Sequence, residues 1–209
     1  MFNGHGKIVW IDAHFDVNTP LTSPSRNAHG MPLAYLSGYV NGFEHMRCMD
    51  MDRDICYFGV RSYEEGEEVV IQDKSVLCFD SAECKLHRLD EIHNQIQRHF
   101  KQTQKTKYWI SFDIDGVDAG EFKSTGTDEG NGLSLDFTLS LFEKVIPKAV
   151  GMDFTEVNFE LTDGEMRRKD EQTFRDIFEF IHHQVNQPVA DETKFTLDSA
   201  SYQTKMEKM

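Results

Sequence analysis

Two short runs of this chain set acids and an imidazole at every second position: Asp12-Ala-His14-Phe-Asp16 and Asp113-Ile-Asp115. In extended backbone, side chains at i, i+2 and i+4 project to one side, so each run offers a convergent set of ligands. Four carboxylates and an imidazole brought into one crevice cannot all stay charged without compensation. A divalent metal supplies it. Carboxylate-rich ligation with some imidazole favours Mn²⁺ over Mg²⁺, Fe²⁺, Co²⁺ or Zn²⁺. Two ions ~3.5–4 Å apart, sharing bridging carboxylates, would suit a hydrolase that activates water. A single Asp after a strand is commonly a loop former or a helix N-cap. Two clusters after strongly apolar segments, one of them carrying a histidine, point to ligation instead.

The segments that must hold these runs are short, nearly continuous apolar stretches: Lys7–Asp12, Ile55–Val60, Ser75–Asp80, Tyr108–Asp113 and Ala149–Phe154. Such stretches predict strands covered on both faces, hence a parallel sheet between helices. Helical spacing is seen in Leu89, Ile92, Ile96 and Phe100, and again in Phe174, Ile177, Phe178, Ile181 and Val185. Leu135–Lys148 reads as a further helix, disturbed near Pro147. The alternation predicts an α/β, doubly wound fold with helices on both faces of the sheet. Neighbouring strands lie ~4.8 Å apart, so shared ligands require the first and fourth strands to be adjacent. Right-handed crossovers then give the order fifth, fourth, first, second, third, reversing between the first and fourth strands. Ligands of open α/β sheets bind at that reversal.

Composition narrows the partners. The chain has 209 residues with 22 Lys+Arg against 36 Asp+Glu, a formal net charge of -14, which argues against nucleic acid or an anionic membrane. No apolar run approaches the ~18 residues of a membrane span, and the start MFNGHGKIVW lacks the features of a secretory signal. Cys48, Cys56, Cys78 and Cys84 form no CxxC pair and no zinc spacing, so reduced thiols in a cytoplasmic protein are expected. One domain over residues 1–187 is expected, followed by a polar tail over 188–209.

Four segments occur in a familiar order: Trp10–Pro32 (WIDAHFDVNTPLTSPSRNAHGMP), Ser111–Asp118 (SFDIDGVD), Ser124–Ser134 (STGT…GLS) and Asp153–Asn158 (DFTEVN). Together they resemble the ureohydrolase family, most closely its arginases, over about Lys7 to Gln187. The resemblance implies the arginase/deacetylase-like fold and a binuclear manganese site. Its chemistry would be cleavage of the guanidinium group of L-arginine to L-ornithine and urea by a metal-bridging hydroxide. By motif position, Asp12, His14, Asp16, Asp113 and Asp115 match metal ligands, with Asp12 and Asp113 bridging. His29 matches a mobile proton-shuttle histidine, Glu156 the carboxylate facing the guanidinium, and Thr127 a hydroxyl beside the reacting carbon. Asn18, Ser23, Ser25 and Asn27 match a loop that grips the α-carboxylate; Glu64 and Glu67 align with the segment that receives the α-amino group. Homo-oligomers, trimers or hexamers, are implied by resemblance alone.

The match departs in three places. The family's upstream metal-ligating histidine has no counterpart here, and His5 is no substitute: it precedes Asp12 by seven residues, up to ~23 Å along an extended chain. The chain is therefore expected to lack N-terminal strands of the family, leaving the fifth strand as a hydrophobic edge. Arg26 stands where the family usually has Gly, and Ser62 and Glu64 where aspartates are usual. Two other roles follow from these departures: a non-catalytic relative acting by association, or a ureohydrolase for another guanidino compound such as agmatine.

Overall fold

The computed structural model describes residues 6–100, 107–127 and 129–187. His5 and the expected tail over 188–209 lie outside the described residues. Five parallel strands make one sheet: β1 (Ile8–Ile11), β2 (Ile55–Phe58), β3 (Leu77–Phe79), β4 (Tyr108–Asp113) and β5 (Ala149–Thr155). Their order is β3-β2-β1-β4-β5, the order that shared ligation requires. Ile11 pairs with Phe112, so the residues that follow, Asp12 and Asp113, emerge side by side at the carboxyl edge.

Six α-helices lie among the described residues, five between strands and the last after β5: α1 (Pro32–Ser37), α2 (Glu65–Lys74), α3 (Ser81–Leu86), α4 (Leu89–His99), α5 (Leu135–Val145) and α6 (Gly164–Val185). The Ser134 side chain caps α5 by accepting from Phe137 N, and the helix tightens into a 3-10 turn, Ile146–Lys148, at Pro147. α6 starts well before its apolar stripe, because the turns from Gly164 onward are polar. α2 is not foreshadowed by periodicity, since its apolar residues Val69, Val70 and Ile71 are consecutive. A capping box between Glu64 and Glu67 and an acid-rich first turn start it instead. α1 and α3, six residues each, are too short to show a period.

One core packs Val9, Ile11, Phe58, Ile110 and Phe112 against Ile92, Ile96, Leu141, Phe142 and Ile177 of the helices. A second, on the opposite face, joins Ile55 and Tyr57 to Phe15, Val17, Leu33 and Ala34. Each fully buried aliphatic or aromatic side chain contributes roughly 1.5–3 kcal/mol. The expectation that all five strands are covered on both faces is corrected at the edges: β5 stays half-buried from Ala149 to Phe154, and β3 is half-buried at Leu77 and Cys78. β5 pairs with β4 only, among the described residues. The Trp109 ring packs against Gly151, where a Cβ would come within 2.3 Å of Cζ3, so this contact requires glycine. The four cysteines are free thiols, with Cys56 and Cys84 buried. No helix among the described residues is long and apolar enough to cross a membrane.

Candidate metal and substrate site

The two acidic runs meet where the strand order reverses. Gly116 lets them close in, because a Cβ there would stand 3.0 Å from Asp12 N. Ala13 N donates to Asp115 Oδ1 at 3.1 Å, tying the tip of β1 to the 3-10 turn after β4. Asp12 accepts from His14 N (2.7 Å) and from the Trp10 indole (3.0 Å). Asp113 accepts from Asp115 N (2.9 Å) and from the Thr155 hydroxyl (2.9 Å). Thr127 Oγ1 donates to Asp115 Oδ2 at 3.1 Å. The Arg61 guanidinium donates to the carbonyls of Asp115, Gly116, Val117, Glu129 and Gly130, fastening the loop behind the acids.

The imidazole sits between two carboxylates, with His14 Nδ1 3.3 Å from Asp12 Oδ1 and 3.2 Å from Asp115 Oδ2. Burial alone would lower the His14 pKa, but its bonds to Asp115 and Asp12 and their charges push it up to about 11. Burial opposes the charge on Asp115 too, yet the His14 bond wins and holds that carboxyl below its ordinary value. Asp16 and Asp113 are pushed up to about 8, first by burial, then by Asp12 at Asp16 and by Asp115 at Asp113. Asp12, 1% exposed, is raised well above the usual carboxylate range by burial. The cluster is thus short of positive charge. A divalent cation would supply it, and the donors suit one: ligand atoms of Asp12, His14 and Asp115 all lie within 4.8 Å of one another. Asp16 and Asp113 lie beside this triad rather than in it, lining the same cavity.

That cavity, about 300 Å³, also gathers the residues nominated for the substrate. Asn18, Ser23, Ser25 and Asn27 line it from the loop after β1. Ser23 Oγ accepts from Arg26 N (3.0 Å) and Ser25 Oγ from Asn27 N (3.2 Å), so both hydroxyls are fixed by the turn. Arg26 itself is exposed and is not among the lining residues. His29 and Glu156 face each other at the mouth, Nδ1 to Oε1 4.0 Å, both exposed. Thr127 lines the same cavity, bonded to Asp115. Three of the five described non-glycine residues at positive φ, Asp16 (53°), Arg26 (60°) and Glu156 (62°), belong to these loops. Such conformations cost roughly 1–3 kcal/mol and cluster at functional sites.

Glu64 and Glu67 line the cavity but serve its framework. Glu67, 4% exposed, accepts from Val17 N (3.2 Å) and Glu64 N (3.1 Å). Glu64 receives the Asn18 side-chain amide and caps α2. Glu129, which no motif nominates, lines the same cavity and accepts from Ser62 Oγ at 3.2 Å. Its surroundings, a Gly- and acid-rich turn, carry no periodic signal.

Fold and site together define a parallel α/β protein with a carboxylate-rich cluster that could hold a metal ion at its topological switch point. The Arginase family profile matches residues 2–178, and the chain belongs to that family. It is 35% identical over 162 residues to an arginase of Entamoeba histolytica, covering 75% of this chain and 53% of that one. It is 30% identical over 171 residues to arginase-1 of Rattus norvegicus, with the same coverage. The chain spans about half the length of the curated relatives it matches. It superimposes on the crystal structure of Entamoeba histolytica arginase in complex with L-ornithine with a TM-score of 0.73, at 32% identity, over 84% of this chain and 61% of that one. Native arginase from Bacillus caldovelox gives 0.73 at 25% identity, over 85% and 60%.

Proposed function

We propose that this chain carries the reactive centre of an Mn²⁺-dependent hydrolase that converts L-arginine and water to L-ornithine and urea. One observation carries the reading: the cluster of Asp12, His14, Asp16, Asp113 and Asp115 opens into the cavity that holds Asn18, Ser23, Ser25, Asn27, His29, Thr127 and Glu156. Asp12, His14, Asp16, Asp113 and Asp115 would hold the metal, and Mn²⁺ when bound would bring the pKa of water toward neutrality and offset charge at the reacting carbon. Glu156 presents a carboxylate fork to the planar guanidinium. The Thr127 hydroxyl lies next to the reacting carbon and is oriented by Asp115. His29, exposed at the mouth beside Glu156, carries a proton from solvent to the departing amine. The Ser23 and Ser25 hydroxyls, with the Asn18 and Asn27 amides, take the α-carboxylate, which agmatine lacks.

The test is urea release by the Mn²⁺-supplemented chain with L-arginine and with agmatine, alongside Asp113→Ala. Release from L-arginine that exceeds agmatine and vanishes in the variant supports the reading. A chain that takes up Mn²⁺ but releases no urea would make it a non-catalytic relative.

A further inference from the structure

The χ2 torsion of an aspartate is soft, so a carboxylate that shares its two oxygens between cations needs donors to fix its plane. Asp12 and Asp113, the acids that motif position nominates as bridges, are held by the same pattern of donors. In each, Oδ1 accepts from the backbone N–H two residues on: His14 N at 2.7 Å for Asp12, Asp115 N at 2.9 Å for Asp113. In each, Oδ2 accepts from a side chain: the Trp10 indole at 3.0 Å for Asp12, the Thr155 hydroxyl at 2.9 Å for Asp113. The other polar neighbours are themselves candidate ligands, the His14 ring 3.3 Å from Asp12 Oδ1 and the Asp115 carboxyl beside Asp113. An ionised carboxylate has about four lone-pair sites, so one donor on each oxygen still leaves each oxygen a site for a cation.

We infer that Thr155 is a positioning residue of the metal centre, its hydroxyl fixing the plane of Asp113 as the Trp10 indole fixes that of Asp12. The inference rests on the metal reading of the cluster. Register brings the two side chains together: Thr155, the last residue of β5, pairs with Asp113, the last of β4. Thr155 is exposed, so packing of the core does not account for a threonine there. The next residue, Glu156, leaves the strand at φ 62° and lines the cavity. One hydroxyl therefore ties a candidate metal ligand to the strand end that presents the acid proposed to face the guanidinium.

Calorimetric titration of Mn²⁺ into the metal-free full chain tests it, with no need of turnover. Thr155→Val keeps the branched shape and strand preference of threonine and removes only the donor. Its Mn²⁺ affinity should fall roughly 10–100-fold, the scale of losing a group that orients a metal ligand. Thr155→Ser keeps the hydroxyl, loses the methyl group, and should bind Mn²⁺ as the wild type does. Wild-type affinity in Thr155→Val, or an equal loss in Thr155→Ser, overturns the role of the hydroxyl and leaves the metal reading standing. A wild-type chain that takes up no Mn²⁺ overturns the metal reading and this inference together.

Discussion

Replacing Asp170 with alanine should destabilise the fold by about 3 kcal/mol. Asp170 sits on α6 at 0% exposure and accepts from the Ser124 hydroxyl (2.7 Å) and from Lys123 N (3.1 Å). Hydrogen bonds to a charged group contribute about 1.5–3 kcal/mol each, so losing both removes about 3–6. Against that, Oδ1 is buried with no partner among the described residues, and its removal returns about 1–3 kcal/mol. The net of about 3 corresponds to a fall in melting temperature of about 6–12 °C for a chain this long. Asp170→Asn keeps an acceptor for both donors and should lose only about 1 kcal/mol. Urea denaturation followed by circular dichroism, at fixed Mn²⁺, measures both. The effect should reach the site, because Ser124 O also accepts from Asn158 N at 2.8 Å. One residue thereby anchors the loop of Thr127 and the loop of Glu156. An Asp170→Ala variant within 0.5 kcal/mol of wild type would refute the latch.

Metal-free protein should lose stability as pH rises from 5 to 8.5, and Mn²⁺ should restore it. The folded values of Asp16 and Asp113, up to about 8 chiefly through burial, exceed the unfolded ~3.9, so their contribution is whole below about 4 and lost as pH rises through about 8. His14, raised to about 11, acts in the same direction, and depressed Asp115 titrates below this window. A flat melting profile in EDTA would contradict this. Gly151→Ala should drive Trp109 off β5, breaking its bond to Asp153, with red-shifted tryptophan emission and a loss of about 1–3 kcal/mol. Alkylation of the folded chain at pH 8 should mark exposed Cys48 alone, since burial pushes the Cys78 and Cys84 thiols up to about 12 and raises the Cys56 thiol well above its ordinary value. Peptide mass mapping reads the outcome, and a labelled Cys56 would count against it.

The strand order was legible because chemistry and topology constrain each other: acids at Asp12 and Asp113 can share ligands only if β1 and β4 are neighbours. The cavity lining followed from motifs on three strand tips and one loop. What escaped was set by partners distant in sequence. Glu67 belongs to an acidic run that reads as a solvated face, and it is buried because Val17, fifty residues earlier, needs its carboxylate. Asp170 lies in the polar stretch Arg167-Arg-Lys-Asp-Glu and is buried by Ser124, 46 residues away. Helix α2 has a cap but no period, and only the geometry of Glu64 and Glu67 reveals it. The half-exposure of β5 depends on what lies against its face, which an apolar run of residues does not encode.

Electron paramagnetic resonance of Mn²⁺ titrated into the protein tests most directly whether the two acidic strand tips act as one metal centre. The aqueous Mn²⁺ signal should vanish up to two equivalents per chain with the wild type and persist from the first addition with Asp12→Ala. Free Mn²⁺ throughout the wild-type titration, or identical uptake by the variant, would contradict the assignment of Asp12, His14 and Asp115 as ligands.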